Sequence, residues 1–428
     1  MRVSASHLAH TRRLPTRILQ SAIPLRKFSC SSQLSISESQ TDIDKQTISN
    51  GFNPMALGKG KKEIPVPRPS ASVLLVSPQN QFLLLQRVKQ SSSFASAHVF
   101  PGGNVSKFHE GEMPGPDSPE RHVDSEIYRM AAIRETFEES GIILARNSGF
   151  GRLIEVPDAE REEGRRLVHS NEVPFEKWLA SKGGKADTGI HTSYCPGDEL
   201  LTPRLDGLIP FTRWVTPTNV PKRFTTQMYI YFLPTSSTTP LHDKANSDNA
   251  KSEDGEGFEP EVAIPTPTTD GGLEHTTARF LPASAWLRLA QEGRIILFPP
   301  QFFLLHQAAQ HLDNLSSPTA YDSITRDHVP REELEARRKR LVDFIKSGDP
   351  PWTEKCISPS PQAPGKRRAR EDGRGVLGLE RPGPELEAAN AGRRGHYEDC
   401  VLVDFKKEGP RRVAVISREE AMKPESKI

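Results

Sequence analysis

The chain has 428 residues with a formal net charge of +2, 37 Pro, 30 Gly and only 35% hydrophobic residues. That length allows two or three domains, but too few residues are apolar to pack all of it, so one folded domain with disordered flanks and loops is expected. The near-neutral charge excludes a general DNA or RNA binder. The widely separated Cys30, Cys195, Cys356 and Cys400 exclude a zinc or disulfide framework and fit a reducing compartment. There is no run of 18 apolar residues, so no transmembrane segment is expected.

Residues 1–37 contain no Asp or Glu and carry Arg2, Arg12, Arg13, Arg17, Arg26 and Lys27 among Ser and apolar residues. An acid-free, Arg- and Ser-rich leader has the composition of a mitochondrial transit peptide. Arg26-Lys27-Phe28-Ser29 resembles a matrix-processing site. Residues 38–65 read as a polar linker. Ser72-Val73-Leu74-Leu75-Val76, a turn at Ser77-Pro78-Gln79-Asn80, and Phe82-Leu83-Leu84-Leu85 predict a two-stranded hairpin that Arg87 ends. Ser96-Ala97-His98-Val99-Phe100 leads into a turn at Pro101-Gly102-Gly103, with His98 read as a packed or surface residue. The glycine pair permits close approach of the backbone to whatever lies there.

After a loop rich in Pro, Gly and charge, Asp124 or Ser125 stands ready to cap a helix from Glu126. Ile127, Met130, Ala131 and Ile133 form its apolar side. Within Arg134-Glu135-Thr136-Phe137-Glu138-Glu139-Ser140-Gly141, the three Glu fall at i, i+3 and i+4. That spacing puts them about 5–6 Å apart on one face, where like charges destabilise a bare helix. A divalent cation would turn the repulsion into ligation, since Mg²⁺ takes oxygen ligands. Arg134, four residues before Glu138, can hold that carboxylate in place. Gly141 sits where a C-cap needs a left-handed residue.

This stretch resembles the Nudix hydrolase family, whose box reads G-x5-E-x7-R-E-U-x-E-E-x-G-U with U aliphatic. Glu126 and Arg134 fit its E-x7-R-E half. Gly103 fits the leading glycine, but 22 residues instead of 5 separate it from Glu126, and Thr136 replaces an aliphatic residue. The inserted loop is expected to leave the carboxylate face intact and to be dispensable for metal binding. An interruption there, with A-A-I-R-E-T-F-E-E, is similar to the coenzyme A diphosphatase subgroup of the mammalian peroxisomal type.

Further on, 158–180 is a mixed-charge run ending in a helical Pro174–Leu179, and 181–207 is a Gly/Pro-rich loop. Leu208–Pro217 and Lys222–Leu233 read as two strands, and their W-x-T-P and R-F-x-T segments resemble the same subgroup. Residues 235–270 read as a disordered insertion. Leu273–Phe280 reads as a returning strand carrying Glu274, followed by a helix over 285–292 and another from Pro299. The P-P-Q-x-x-x-L end is again similar to the subgroup. The Nudix hydrolase domain is therefore set at 66–315 and a C-terminal extension at 316–428. That extension comprises an amphipathic helix over 330–345, a disordered stretch over 357–395, and a terminal hairpin of Cys400–Phe405 and Arg412–Ile416 about Gly409-Pro410.

The resemblance implies an α/β Nudix fold, a mixed β-sheet sandwiched between helices, with the box helix bearing Mg²⁺ or Mn²⁺. It implies hydrolysis of a diphosphate bond in a small-molecule nucleotide-diphosphate substrate. The subgroup points to coenzyme A or acyl-CoA; dinucleotides, nucleotide sugars and capped RNA are the alternatives, as is a non-catalytic Nudix-fold binding module. Glu135 and Glu139 are the first-choice metal ligands, with Glu138 third and the Gly102 carbonyl fourth. The general base is Glu138 or a Glu from elsewhere, of which Glu274 is the candidate. Arg87 and Arg223 are the candidate contacts to substrate phosphates.

The two ends of the chain disagree about location. Ser426-Lys427-Ile428 is one conservative change from the S-K-L peroxisomal address, but a leader emerges from the ribosome first. The expectation is the mitochondrial matrix, with a minor peroxisomal pool. A C-terminal tag masks the tripeptide and leaves the leader free. Mitochondrial fluorescence should survive that tag and vanish when residues 1–37 are deleted; mitochondrial signal that persists without the leader refutes the assignment.

Overall fold

A computed structural model describes residues 64–88, 96–147, 153–189, 207–235, 267–268, 275–313, 329–362, 370 and 372–423. The expected leader, nearly all of the linker and of the 235–270 insertion, Glu274 and the C-terminal tripeptide lie outside them. The β-branched, aliphatic runs form the expected hairpin, longer than read, as β1 (Arg68–Val76) and β2 (Phe82–Arg87). Next come β3 (His98–Val99), β4 (Gly102–Asn104) and a one-turn helix α1 (Lys107–Glu110). A 3-10 turn at Pro119–His122 precedes α2 (Glu126–Ser140), the helix of the box. A small ribbon of β5 (Ala145–Asn147) and β6 (Gly184–Ala186) brackets α3 (Asp158–His169) and α4 (Phe175–Ser181). Strands β7 (Ile209–Val215), β8 (Phe224–Phe232) and β9 (His275–Leu281) follow, then α5 (Ala283–Gln291), α6 (Pro299–Leu312) and α7 (Arg331–Ile345).

The main sheet is mixed. β1 runs parallel to β8, from Arg68 opposite Phe224 to Val76 opposite Phe232, and antiparallel to β2 and β4. β9 returns beside β2. Successive β1 side chains point to opposite faces, and both faces are covered. Ala71, Val73 and Leu75 pack with Tyr128, Ala131, Ala132 and Phe137 of α2. Leu74 and Val76 pack with Trp286 of α5 and Phe302 and Leu305 of α6. The buried stripe of α2 is thus centred on Tyr128, Ala131, Ala132 and Phe137; Ile127 and Met130, expected on it, are only half-buried. Phe137 stacks on Trp178 of α4, ring centroids 4.5 Å apart, which fixes that flank of α2 against α4. Thr136, the non-aliphatic exception, is buried with its hydroxyl donating to the Ala132 carbonyl at 2.8 Å, so the polar group costs little there.

The C-terminal half departs from the expected boundary. Instead of disorder over 357–395, the described residues there form β10 (Cys356–Ile357), β11 (Ser360–Gln362), β12 (Gly375–Leu379) and a short α8 (Pro384–Ala388). They continue into the expected hairpin, β13 (His396–Lys406) and β14 (Gly409–Ser417), and the terminal turn α9 (Arg418–Met422). β10 joins the main sheet, parallel to β7. Strands β11 to β14 make a second sheet whose Leu377, Leu379, Val401, Val403 and Val413 enter the core under α5 and α6. The Pro/Gly/Arg-rich composition hid these short strands, because their apolar residues are too few to show a period yet enough to complete a core supplied from elsewhere.

Helix α7 is joined to the β1–β2 turn by a buried arginine. Arg338 donates to Asn80 Oδ1, Leu233 O and Ser77 O, each at 2.7 Å. Desolvation lowers its pKa to about 10. Replacement by Met keeps the apolar stem and strands three buried acceptors. Charged hydrogen bonds contribute about 1.5–3 kcal/mol each, so Arg338→Met should lose about 3 kcal/mol or more in urea unfolding. A loss under about 1 kcal/mol would show that water replaces the guanidinium.

Candidate active site

The sequence of α2 explains its local geometry. Gly141 adopts the left-handed conformation (φ 73°, ψ −1°), and its N–H donates to Phe137 O at 2.8 Å, ending the helix one residue after Ser140. At the other end Ser125 is the N-cap residue without a side-chain cap bond. Asp124 is occupied elsewhere, accepting from Arg129 Nε at 3.0 and 3.1 Å and from the Tyr229 hydroxyl at 2.6 Å.

Arg134 is buried and every part of its fork is used. Nη1 donates to Glu135 Oε1 at 2.9 Å and Glu138 Oε1 at 2.8 Å. Nε donates to Glu110 Oε1 at 2.7 Å, and Nη2 donates to the Asn104 carbonyl at 2.8 Å. The expected Arg134–Glu138 contact is therefore present, within a larger set. Burial disfavours the charged guanidinium, but Glu135 and Glu110 beside it more than compensate and raise its pKa above the ordinary arginine value. Burial pushes Glu135 up to about 7 against the pull of Arg134, and burial also raises Glu110.

Glu110 is the residue that sequence reasoning missed, and it corrects the reading of the inserted loop. Ser106 caps α1, its side chain accepting from Phe108 N, and Glu110 Oε2 accepts from Ser106 N at 2.7 Å. The same carboxylate, fully buried, reaches Arg134. The loop is therefore built into the site and is not a detachable insertion. Glu110 stands four residues after Ser106, one beyond the spacing of a capping box, so the sequence carries no clear signal for this turn or for its partner.

Glu139 is buried and faces the glycine turn. Its Oε2 accepts from Gly102 N at 2.8 Å, and its Oε1 lies 3.6 Å from His275 Nε2 on β9. The Gly102 N–H thus ties the glycine turn to Glu139, and its carbonyl was expected as the fourth metal ligand. A Cβ on Gly103 would lie 2.5 Å from the Glu135 carboxylate, so the glycine is what leaves room for that side chain. Glu135, Glu138 and Glu139 line a cleft of about 690 Å³ with Asn104, Arg134 and, from α3, Arg165, Arg166 and His169.

Arg87 and Arg223 are not among the residues that line this cleft. Arg87 ends β2 opposite His275. Arg223, expected on a substrate phosphate, is buried in a bidentate pair with Glu385 of α8, with Nη2 at 3.0 Å from Oε2, and also donates to Pro65 O and Thr216 O. Its charge is spent holding the C-terminal segment to the domain. His98 is buried beside Trp286, with ring centroids 5.6 Å apart, and burial and Arg279 lower its pKa to about 4. Glu274 lies outside the described residues.

Among the described residues, no three His, Cys, Asp or Glu side chains stand closed into a metal-ligating cluster. The donors nevertheless suit a hard cation. Glu135, Glu138 and Glu139 are oxygen ligands on one cleft wall, and the missing Gly103 side chain opens the space in front of Glu135.

The raised pKa of Glu135 makes a signed prediction for metal-free protein. Folded Glu135 keeps its proton up to about pH 7, whereas the unfolded chain releases it near the ordinary carboxylate value. Between those values the folded state binds more protons, so stability falls as pH rises. Unfolding free energy measured in chelator at pH 5, 6 and 7.5 should decline, by up to about 1.4 kcal/mol per unit, and Glu135→Gln should flatten most of the decline. An identical slope in the variant refutes the assignment.

A NUDIX domain family model matches residues 66–235. The chain is 26% identical over 164 residues to a Caenorhabditis elegans protein described as putative nudix hydrolase 7, an alignment covering 38% of this chain and 43% of that protein. It thus spans less than half the length of this curated relative. A solved NUDIX hydrolase from Alicyclobacillus acidocaldarius aligns at 19% identity over 62% of this chain and 98% of its own, with a TM-score of 0.39. The MutT protein from Methanosarcina mazei Go1 aligns at 11% identity over 62% of this chain and 100% of its own, with a TM-score of 0.26. With the box helix, the glycine turn and the mixed sheet in place, the family-model match identifies residues 66–235 as a Nudix domain in a Nudix fold.

Proposed function

We propose that the chain is a metal-dependent hydrolase that splits a diphosphate bond in a small-molecule nucleotide substrate. The observation that carries this reading is the convergence of Glu135, Glu138 and Glu139 with Arg134 on one cleft, whose size falls within the range of ligand sites. Bound there, Mg²⁺ or Mn²⁺ would supply an activated water and neutralise charge on the diphosphate. Glu135 and Glu139 would hold the ion, with Glu138 beside them. Arg134 fixes the Oε1 atoms of Glu135 and Glu138, so neither carboxylate can turn away. Glu138 would take the proton of the attacking water, with Glu274 the alternative base.

The substrate proposed is coenzyme A or acyl-CoA, by the resemblance of the interrupted box and of the W-x-T-P and P-P-Q segments. Water adds across the diphosphate to yield adenosine 3′,5′-bisphosphate and (acyl-)phosphopantetheine. The non-catalytic alternative is disfavoured by the intact carboxylate set, which a binding module has no need to retain.

A panel of coenzyme A, acetyl-CoA, a dinucleotide, a nucleotide sugar and capped RNA, incubated with Mg²⁺ or Mn²⁺ and read by mass spectrometry, tests both levels. Coenzyme A should give the two products named. Glu139→Gln should fold normally and lose about 1,000-fold in kcat, the equivalent of several kcal/mol of lost charge neutralisation. Turnover of another panel member replaces the substrate assignment, and unaltered turnover by Glu139→Gln refutes the site.

A further inference from the structure

Helix α3 lies outside the box, and its sequence reads as a solvated mixed-charge run. Two of its side chains, four residues apart and hence on one face, nevertheless reach the same residue of α2. Arg165 is buried and donates from Nε and Nη2 to the Glu138 carbonyl at 3.1 and 2.8 Å. That carbonyl is among the last four of α2, which have no partner within the helix and favour a cation. Arg165 Nη1 also bonds Thr268 Oγ1 at 2.8 Å, and Thr268 N donates to Ser140 O at 2.9 Å, so the end of the helix is tied down from two segments. One turn later, His169 Nδ1 lies 3.1 Å from Glu138 Oε2.

We infer that α3 is a clamp for Glu138 and that His169 is a positioning residue of the active site. Arg165 holds the backbone of Glu138. Arg134 holds Oε1 and His169 holds Oε2, so the plane of the carboxylate is set by one donor on each oxygen. A carboxylate has about four acceptor sites on its two oxygens, so both grips leave lone pairs facing the cleft. His169 is itself half-exposed on the cleft wall, so its replacement leaves no buried hole.

The inference rests on the proposed metal-dependent hydrolase, and its test separates the two. The full chain is compared with His169→Ala and His169→Asn, since the Asn amide can donate from nearly the position of Nδ1. Partners that orient a metal-binding carboxylate typically contribute about 10–100-fold to metal affinity or activity. His169→Ala should weaken Mn²⁺ affinity, measured by titration calorimetry, and lower kcat, each about 10-fold or more. KM should stay within about twofold and the melting temperature should not change. His169→Asn should restore most of both. Wild-type Mn²⁺ affinity in His169→Ala overturns the clamp, as does a loss that His169→Asn fails to recover. If the wild-type protein binds Mn²⁺ and cleaves no panel member, the hydrolase reading falls, and the clamp is still decided by Mn²⁺ affinity.

Discussion

The site depends on one buried guanidinium. Glu135, Glu138 and Glu110 would repel one another if gathered without a cation. Arg134 offers a rigid fork of five donors and binds all three. Each other local feature serves that arrangement. The glycine turn removes a side chain in front of Glu135, α1 folds back so that Glu110 reaches the fork, and the stacking of Phe137 on Trp178 packs the apolar flank of the same helix. A lysine, a single point charge, would not hold three carboxylates in fixed relative positions.

The same physics explains where the expected substrate cations went. An arginine on a strand looks free in a sequence, yet burial demands a partner for its charge. Arg223 found Glu385 from a segment 162 residues away, and Arg338 found the carbonyls of Ser77 in the β1–β2 turn and of Leu233 after β8. Both join the C-terminal region to the Nudix domain. With β10 in the main sheet and five residues of the second sheet in its core, that region completes the domain.

Arginine and histidine outside the motif have a comparable part on α3. A helix that looks like a solvated surface supplies one wall of the cleft and two contacts to Glu138. The carboxylate face is thus held from behind by the sheet, from one side by the inserted loop, and from the other by α3.

What the sequence determined by itself was local and periodic. The 3, 4 spacing of the glutamates fixes them to one helix face, a left-handed glycine ends that helix, and two short apolar runs about a Pro-Gln-Asn turn make the β1–β2 hairpin. These follow from chain geometry over a few residues, and the α/β fold was expected from the resemblance that the box carries. What only the tertiary structure decided were the partners of buried charges. Glu110 lies 24 residues from Arg134, His169 lies 31 from Glu138, and Glu385 lies 162 from Arg223. No periodicity encodes such pairings. They arise because a charge removed from water must meet whichever opposite charge or dipole the packing of the whole chain brings beside it.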